Sequence, residues 1–150
     1  MTTIREEDFV ASVADAFQFI SYYHPADYIR SLHEAYQREA SPAAKDAMAQ
    51  ILINSRMAAE GHRPMCQDTG IALAFVRVGM DVRWDTRLSL QQMVDEGVRR
   101  AYTDKDNPLR ASVLADPDGK RTNTKDNTPS VVHVELVPGD KVEVIVAAKG

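Results

Sequence analysis

Apolar residues recur at helical spacing through the first sixty positions. The first such stripe is formed by Phe9, Val13, Phe17 and Ile20. Two further helical repeats follow His24-Pro25 and Ser41-Pro42, and proline is well suited to the first turn of a helix. Gly61 is placed to end the third repeat. The pattern predicts about three helices within residues 1–61.

The pattern changes after Gly70. Residues 71–78 are apolar on both faces except at Arg77, which predicts a strand buried between two layers. Residues 131–137 and 142–147 flank a Pro-Gly-Asp turn, and this arrangement predicts a β-hairpin. Residues 103–129 show no periodicity and are rich in proline, asparagine, aspartate and threonine, so we expect a long loop that is either functional or disordered.

Two capping boxes are indicated, one before each of two helices. Thr3 is followed by Glu6, and Ser89 is followed by Gln92, each pair at the spacing that lets side chain and backbone cap one another. The residues after Ser89 then repeat at helical spacing. A fourth helix is therefore predicted in the second half of the chain.

These elements predict an α+β fold in a single unit, residues 1–150. Within it we expect a helical segment over residues 1–61 and a loop over residues 62–70. Residues 71–150 are expected to hold the strands, one helix and the long loop. No internal repeat or linker divides the chain.

Composition narrows the class of protein. The chain has 150 residues, of which 44% are hydrophobic and 27% charged, as in ordinary soluble domains. A net charge of −4 argues against non-specific nucleic-acid binding. No apolar run is long enough to span a membrane, and the N-terminus has no signal-peptide pattern. A single cysteine forms no internal disulfide, so a reducing cytoplasm is expected.

That cysteine, Cys66, carries the strongest chemical signal. It lies in the predicted loop, where a thiolate suits iron–sulfur clusters, zinc or copper(I). Gln67 and Asp68 add an amide and a carboxylate beside it. Spacing alone leaves two other interpretations open. The cysteine is an inert buried thiol, or it is a nucleophile with His62 or His133 as its base.

The segment Met65-Cys66-Gln67-Asp68-Thr69-Gly70 resembles the signature of the class I, iron–sulfur-dependent fumarases and their tartrate dehydratase relatives. The resemblance extends over nearly the whole chain. Its other parts are Asn54-Ser55-Arg56, Glu60-Gly61, Gly97-Val98, residues 107–112, residues 123–129 and the terminal Ala-Ala-Lys-Gly.

The resemblance implies specific roles for these residues. In such enzymes three cysteines hold a [4Fe–4S] cluster with one iron open to substrate, and Cys66 matches the first of the three. Gln67 and Asp68 match residues that contact the bound hydroxy acid. Arg110 matches an arginine that grips a substrate carboxylate. Asp68 is also a candidate for assisting proton transfer, although the family's general base is not assigned to this region.

Three functions follow as hypotheses. The first is a hydro-lyase that interconverts fumarate and malate, and the second is the same chemistry on tartrate or a related dicarboxylate. The third, from a different class, is a non-catalytic binding module that uses Cys66 for zinc or as a buried thiol.

One cysteine does not hold a cubane cluster. We therefore expect this chain to be the N-terminal portion of a longer enzyme, inactive alone, with a C-terminal part supplying the remaining ligands. The resemblance also suggests a homodimer. Surface that faces the rest of the enzyme would be exposed in the isolated chain, which predicts association or poor solubility.

Overall fold

The computed structural model describes residues 2–66 and 70–150. The elements, in chain order, are β1 (Thr3–Arg5), α1 (Glu6–Tyr22), α2 (Ala26–Arg38), α3 (Pro42–Gly61), β2 (Ile71–Gly79), β3 (Arg83–Asp85), α4 (Leu90–Tyr102), β4 (Val131–Val137) and β5 (Val142–Lys149). The predicted α+β class, with helices first and two strands last, is confirmed.

Local sequence signals explain where most helices begin and end. The Ser41 hydroxyl accepts a hydrogen bond from the backbone of α3, and Pro42 occupies the first turn, as predicted. The α4 capping box is confirmed, because Ser89 and Gln92 bond each other's backbone N–H groups. The helix α3 ends at Gly61, but the left-handed residue is His62, with φ of 46°.

The capping box predicted at Thr3 is wrong. Thr3 lies in β1, which pairs in parallel with β3, and α1 begins only at Glu6. A strand of three residues has too little sequence for an alternating pattern to show, and its partner lies some eighty positions away. Neither β1 nor β3 was predicted.

The main sheet has the strand order β4-β2-β5. The β2 strand is parallel to β4 and antiparallel to β5. The two strands of the predicted hairpin, β4 and β5, therefore do not pair with each other. The β2 strand lies between them and pairs with both. The connection after β4 is wide enough to receive the end of β2, where the Gly79 N–H donates to the Lys141 carbonyl at 2.8 Å. A Cβ on Gly79 would lie 2.3 Å from the Gly139 carbonyl oxygen, so this approach requires glycine.

One face of the sheet belongs to the hydrophobic core. The core is formed by alternate residues of β2 and by the apolar stripes of α1 and α4: Ala72, Ala74, Val76, Val78, Phe9, Val10, Val13, Phe17, Met93, Val94, Val98, Ala101 and Tyr102. The predicted stripe of α1 is thus confirmed for Phe9, Val13 and Phe17.

The other face of the sheet, which we call the open face, is exposed. Phe75 of β2 is in register with His133 on β4 and with Ile145 on β5. Phe75 is 42% exposed and Ile145 is 56% exposed. Farther along, Arg77 forms ion pairs with Glu135 and Glu143, each at 3.1 Å. The prediction that β2 is buried on both faces is therefore wrong for this chain.

The chain divides into two compact units. The sheet unit comprises Met1–Phe19 and Gln67–Gly150, and the helical unit comprises Ile20–Cys66. Whether residues 1–150 act as one domain of a larger enzyme stays a prediction. Within the described residues, no helix has the length and apolar character needed to cross a membrane.

Candidate functional site

Cys66 is an exposed, free thiol at the end of the helical unit. The backbone just before it is anchored twice. The Met65 N–H donates to the Ser21 carbonyl at 2.9 Å, and the Asn54 side-chain amide donates to the Met65 carbonyl at 2.9 Å. The interpretation of Cys66 as an inert buried thiol does not fit its exposure in this chain. The thiol is presented at the surface from a fixed backbone.

The two histidines considered as a base for a nucleophilic cysteine have other partners. The His62 Nε2 lies 3.1 Å from the Tyr23 hydroxyl, and its ring stacks on Tyr22 with centroids 5.1 Å apart. His133 lies on the open face, where its ring stacks on Phe75 at 5.0 Å. Neither arrangement resembles a base oriented toward a nucleophile.

Gly70, the last residue of the segment over residues 65–70, is tightly packed within the sheet unit. Its φ is +64°, and an added Cβ would lie 2.2 Å from the carbonyl carbon of Lys149. Only glycine accommodates both the left-handed backbone and this approach. The Gly70 carbonyl oxygen accepts two hydrogen bonds, from the Asn127 side-chain amide at 2.8 Å and the Ser112 hydroxyl at 3.2 Å.

Asn127 is fully buried and has a left-handed backbone, with φ of 61°. Besides its bond to Gly70, it accepts hydrogen bonds through Oδ1 from the backbone N–H of Ser112 at 2.8 Å and of Val113 at 3.2 Å. One side chain thus joins two parts of the long loop, the Ser112–Val113 backbone and Asn127 itself, to Gly70. Sequence reasoning gave Asn127 no role, since polar residues are common throughout this loop.

Arg110 lies in the same part of the loop, two residues before Ser112. Its side chain is exposed, whereas the preceding Leu109 is only 6% exposed and anchors the backbone in the core. The structure therefore brings the loop that carries Arg110 to Gly70. Gln67 and Asp68 lie outside the described residues, so their predicted contacts with substrate stay predictions.

Ion pairing and hydrogen bonds hold the far end of the loop to α4. Asp126 accepts from the backbone N–H and hydroxyl of Thr128, at 3.0 and 2.8 Å, and from the Arg99 guanidinium at 3.0 Å. Burial alone would raise the pKa of Asp126, but the bonds from Thr128 and Arg99 outweigh it, and the pKa is lowered. Asp126 is therefore ionised at neutral pH and pairs with Arg99.

The donor chemistry of the chain fits part of a metal site. An exposed thiol on an anchored backbone is suitable as a single ligand for a soft metal centre. Across residues 2–66 and 70–150, no three of the histidine, cysteine, aspartate and glutamate side chains are grouped so that they could hold an ion. Any cluster held by Cys66 therefore needs further ligands.

Comparison with known proteins gives a consistent result. A family model described as fumarate hydratase (fumerase) matches residues 10–150. The anaerobic class I fumarate hydratase of Escherichia coli is 35% identical over 136 residues, which cover 85% of this chain and 24% of that protein.

Tartrate dehydratase subunits match over a similar length. The "Putative L(+)-tartrate dehydratase subunit alpha" of Methanocaldococcus jannaschii is 28% identical over 141 residues, covering 92% of this chain and 49% of that subunit. The L(+)-tartrate dehydratase subunit alpha of Escherichia coli is 30% identical over 140 residues, covering 92% and 45% respectively.

The matches relate the chain to class I fumarate hydratases and to tartrate dehydratase alpha subunits. The chain belongs to the fumarate hydratase (fumerase) family. It spans about half the length of the two tartrate dehydratase subunits and about a quarter of the fumarate hydratase.

Proposed function

We propose that this chain is the N-terminal part of a [4Fe–4S]-dependent hydro-lyase that interconverts fumarate and L-malate. The observation that carries the proposal is the junction at Gly70. There Ser112 and Asn127 hold the arginine-bearing loop against the Gly70 carbonyl. The family match includes all of these residues.

Cys66 would hold the cluster as one of its thiolate ligands. The exposed thiol and the two hydrogen bonds on Met65 support this role, because a ligand must be accessible and its backbone fixed. When bound, the cluster would supply a Lewis-acidic iron that polarises the substrate hydroxyl. The chain contains one cysteine, so the other ligands come from elsewhere in the enzyme.

The neighbouring residues would bind the substrate. Arg110 is an exposed residue whose side chain offers a planar, permanently charged fork that matches a carboxylate. Gln67 would donate a hydrogen bond to the hydroxy acid through its side-chain amide. Asp68 would accept a hydrogen bond from the substrate hydroxyl and assist proton transfer.

The partner implied by this proposal is the remaining C-terminal part of the enzyme. The relatives are two to four times longer than the matched region, which supports a further part carrying the missing ligands. The chain alone would be inactive, and the complete enzyme would work as a homodimer in a reducing cytoplasm.

A second substrate is supported by a specific observation. Two tartrate dehydratase alpha subunits match this chain over 92% of its length, whereas the Escherichia coli fumarate hydratase matches over 85%. The percentage identities favour fumarate, at 35% against 28% and 30%. Tartrate or a related dicarboxylate is therefore the alternative.

Anaerobic analysis of the full-length enzyme tests the proposal. Wild type should carry about four irons per site and hydrate fumarate. Replacing Cys66 by serine should remove the cluster and the activity. Full iron content and activity in that variant would contradict the ligand assignment. Stoichiometric zinc without iron or hydratase activity would instead favour a non-catalytic binding module.

Arg110 offers a sharper test of substrate binding. The Arg110→Lys variant keeps the charge but loses the fork, so KM for the dicarboxylate should rise about tenfold or more while iron content is unchanged. Arg121→Lys is the matched control, since Arg121 is an exposed arginine of the same loop whose Nε donates to the Pro117 carbonyl at 3.3 Å. Assays with fumarate and tartrate decide between the two substrates.

A further inference from the structure

We propose that Asn127 is a positioning residue, which holds the Arg110 loop against Gly70. The proposal rests on the proposed function, because it assigns Asn127 to the same substrate site. It adds a residue that contacts neither the cluster nor the substrate. Asn127 acts through the Ser112 and Val113 backbone on one side and the Gly70 carbonyl on the other.

The chemistry of this contact requires a side-chain amide. Oδ1 of Asn127 accepts two backbone N–H groups while its Nδ2 donates to a carbonyl oxygen, all at a fully buried position. Aspartate would keep both acceptor bonds but set a carboxylate oxygen against the Gly70 carbonyl. An apolar residue would leave all three backbone groups without their partner.

The backbone at Asn127 also restricts the residue type. Its φ of 61° is left-handed, a region that asparagine and glycine adopt more readily than other residues. Glycine is therefore the substitution that removes the side chain without straining the backbone. Aspartate, with the same shape, is the substitution that removes only the donor.

Gly70 provides a rigid reference for the loop. The left-handed backbone of Gly70 lies directly against Lys149 and leaves no space for a side chain. A loop that is hydrogen-bonded to this residue is therefore held in place relative to β2 and β5. Ser112 repeats the tie with its hydroxyl, two residues after Arg110. The Ser112 bond, at 3.2 Å, is longer than the Asn127 bond at 2.8 Å, so Asn127 makes the stronger side-chain contact of the two.

Loss of the Asn127 side chain should affect binding of the dicarboxylate substrate more than assembly of the cluster. Displacing a substrate-gripping group by about 1 Å can cost up to roughly a hundredfold in rate or affinity. The cysteine itself is anchored separately, through Met65 and its bonds to Ser21 and Asn54. Loss of the Asn127 side chain should therefore raise KM for the dicarboxylate without reducing the iron content.

The experiment uses the full-length enzyme with two variants, Asn127→Gly and Asn127→Asp. Asn127→Gly should speed amide hydrogen exchange at Ser112 and Val113 and raise KM between about tenfold and a hundredfold. Asn127→Asp should keep those amides protected, because its carboxylate still accepts from them, and yet raise KM. Both variants should keep the cluster absorbance and iron content of wild type.

Ser130→Ala is the matched control. Ser130 is a buried residue at the end of the same loop, and its hydroxyl donates to Asp95 of α4 at 2.7 Å rather than to Gly70. The control should lower the melting temperature by an amount similar to Asn127→Gly and leave KM unchanged. An equal rise of KM in Ser130→Ala would show that loop stability alone matters, and would overturn the proposal.

Two other results have distinct meanings. A wild-type KM in Asn127→Asp would overturn the proposal, because the bond to Gly70 would then not position the substrate site. A wild-type enzyme without iron or hydratase activity would overturn the proposed function before any variant is compared. The exchange rates at Ser112 and Val113 do not depend on the cluster, so they test the described contact in either case.

Discussion

Gly97 of α4 lies directly against Val13 of α1. A Cβ placed on Gly97 would come within 2.6 Å of both Cβ and Cγ1 of Val13, and within 3.0 Å of the Val10 carbonyl oxygen. Both atoms of Val13 belong to a residue that is fully buried in the core. The close packing of the two helices therefore depends on the absence of a side chain at this position.

Gly97→Ala should destabilise the chain. Overpacking of a filled core costs about 1–3 kcal/mol, which outweighs the gain of about 1 kcal/mol from the better helix propensity of alanine. The free energy of unfolding from urea titration measures the effect. Gly61→Ala is the control, because the nearest atom to its Cβ would be the Arg63 Cγ at 3.8 Å. Its stability should be unchanged or higher, and an equal loss in both variants would contradict this explanation.

His24 should make the stability of the chain depend on pH. Burial lowers the pKa of His24 below its ordinary value of 6.5, and its Nδ1 lies 2.9 Å from the Ser55 hydroxyl. The unfolded chain therefore binds the proton more readily than the folded chain. This contribution to stability is present above the ordinary pKa and is lost as the pH falls below it.

The comparison of wild type with His24→Gln isolates this effect. Between about pH 8 and about pH 5, the free energy of unfolding of wild type should fall more than that of the variant. Chemical denaturation at each pH provides the measurement. Parallel curves for the two proteins would show that His24 does not carry the dependence.

The open face of the sheet should drive association of the isolated 1–150 chain. Phe75 and Ile145 are neighbours on this face, at 42% and 56% exposure. Contiguous exposed apolar surface favours self-association. Association would bury the Ile145 side chain, and burial of an isoleucine is worth about 1.5–3 kcal/mol. Ile145→Asp removes this gain and should therefore weaken association about tenfold or more.

Sedimentation velocity over a concentration series measures the association. Met80→Asp is the matched control, because Met80 is 65% exposed but lies in the turn after β2 rather than on the open face. It adds the same charge and should leave association unchanged. A monomeric wild-type chain at high concentration would refute the prediction.

Under the proposed function, the complete enzyme should lose activity in air. An iron that is open to substrate is also open to oxidants, so aerobic incubation should release iron and inactivate the enzyme in parallel. Anaerobic incubation with iron and a reductant should restore both. An aliquot kept without oxygen serves as the control. Full activity after prolonged exposure to air would argue against an open cluster iron.

Part of the candidate site could be predicted from the sequence. The single cysteine and its flanking residues were identified from a resemblance, and the family membership is confirmed. Asn127 was not singled out, although it is the residue that joins the long loop to Gly70. Its importance depends on burial and on a partner 57 positions away, and neither is encoded in the local pattern.

The sequence by itself determined the helices and the longer strands, because caps, helical stripes and turns depend on residues a few positions apart. Ser41 and Ser89 mark the starts of α3 and α4 for this reason. The tertiary structure alone decided how distant segments meet. It inserted β2 between β4 and β5, left one sheet face exposed, and brought Gly97 against Val13. These contacts depend on which surfaces pack together. The spacing of apolar residues shows that a helix or strand has an apolar face, but it does not show which other element covers that face.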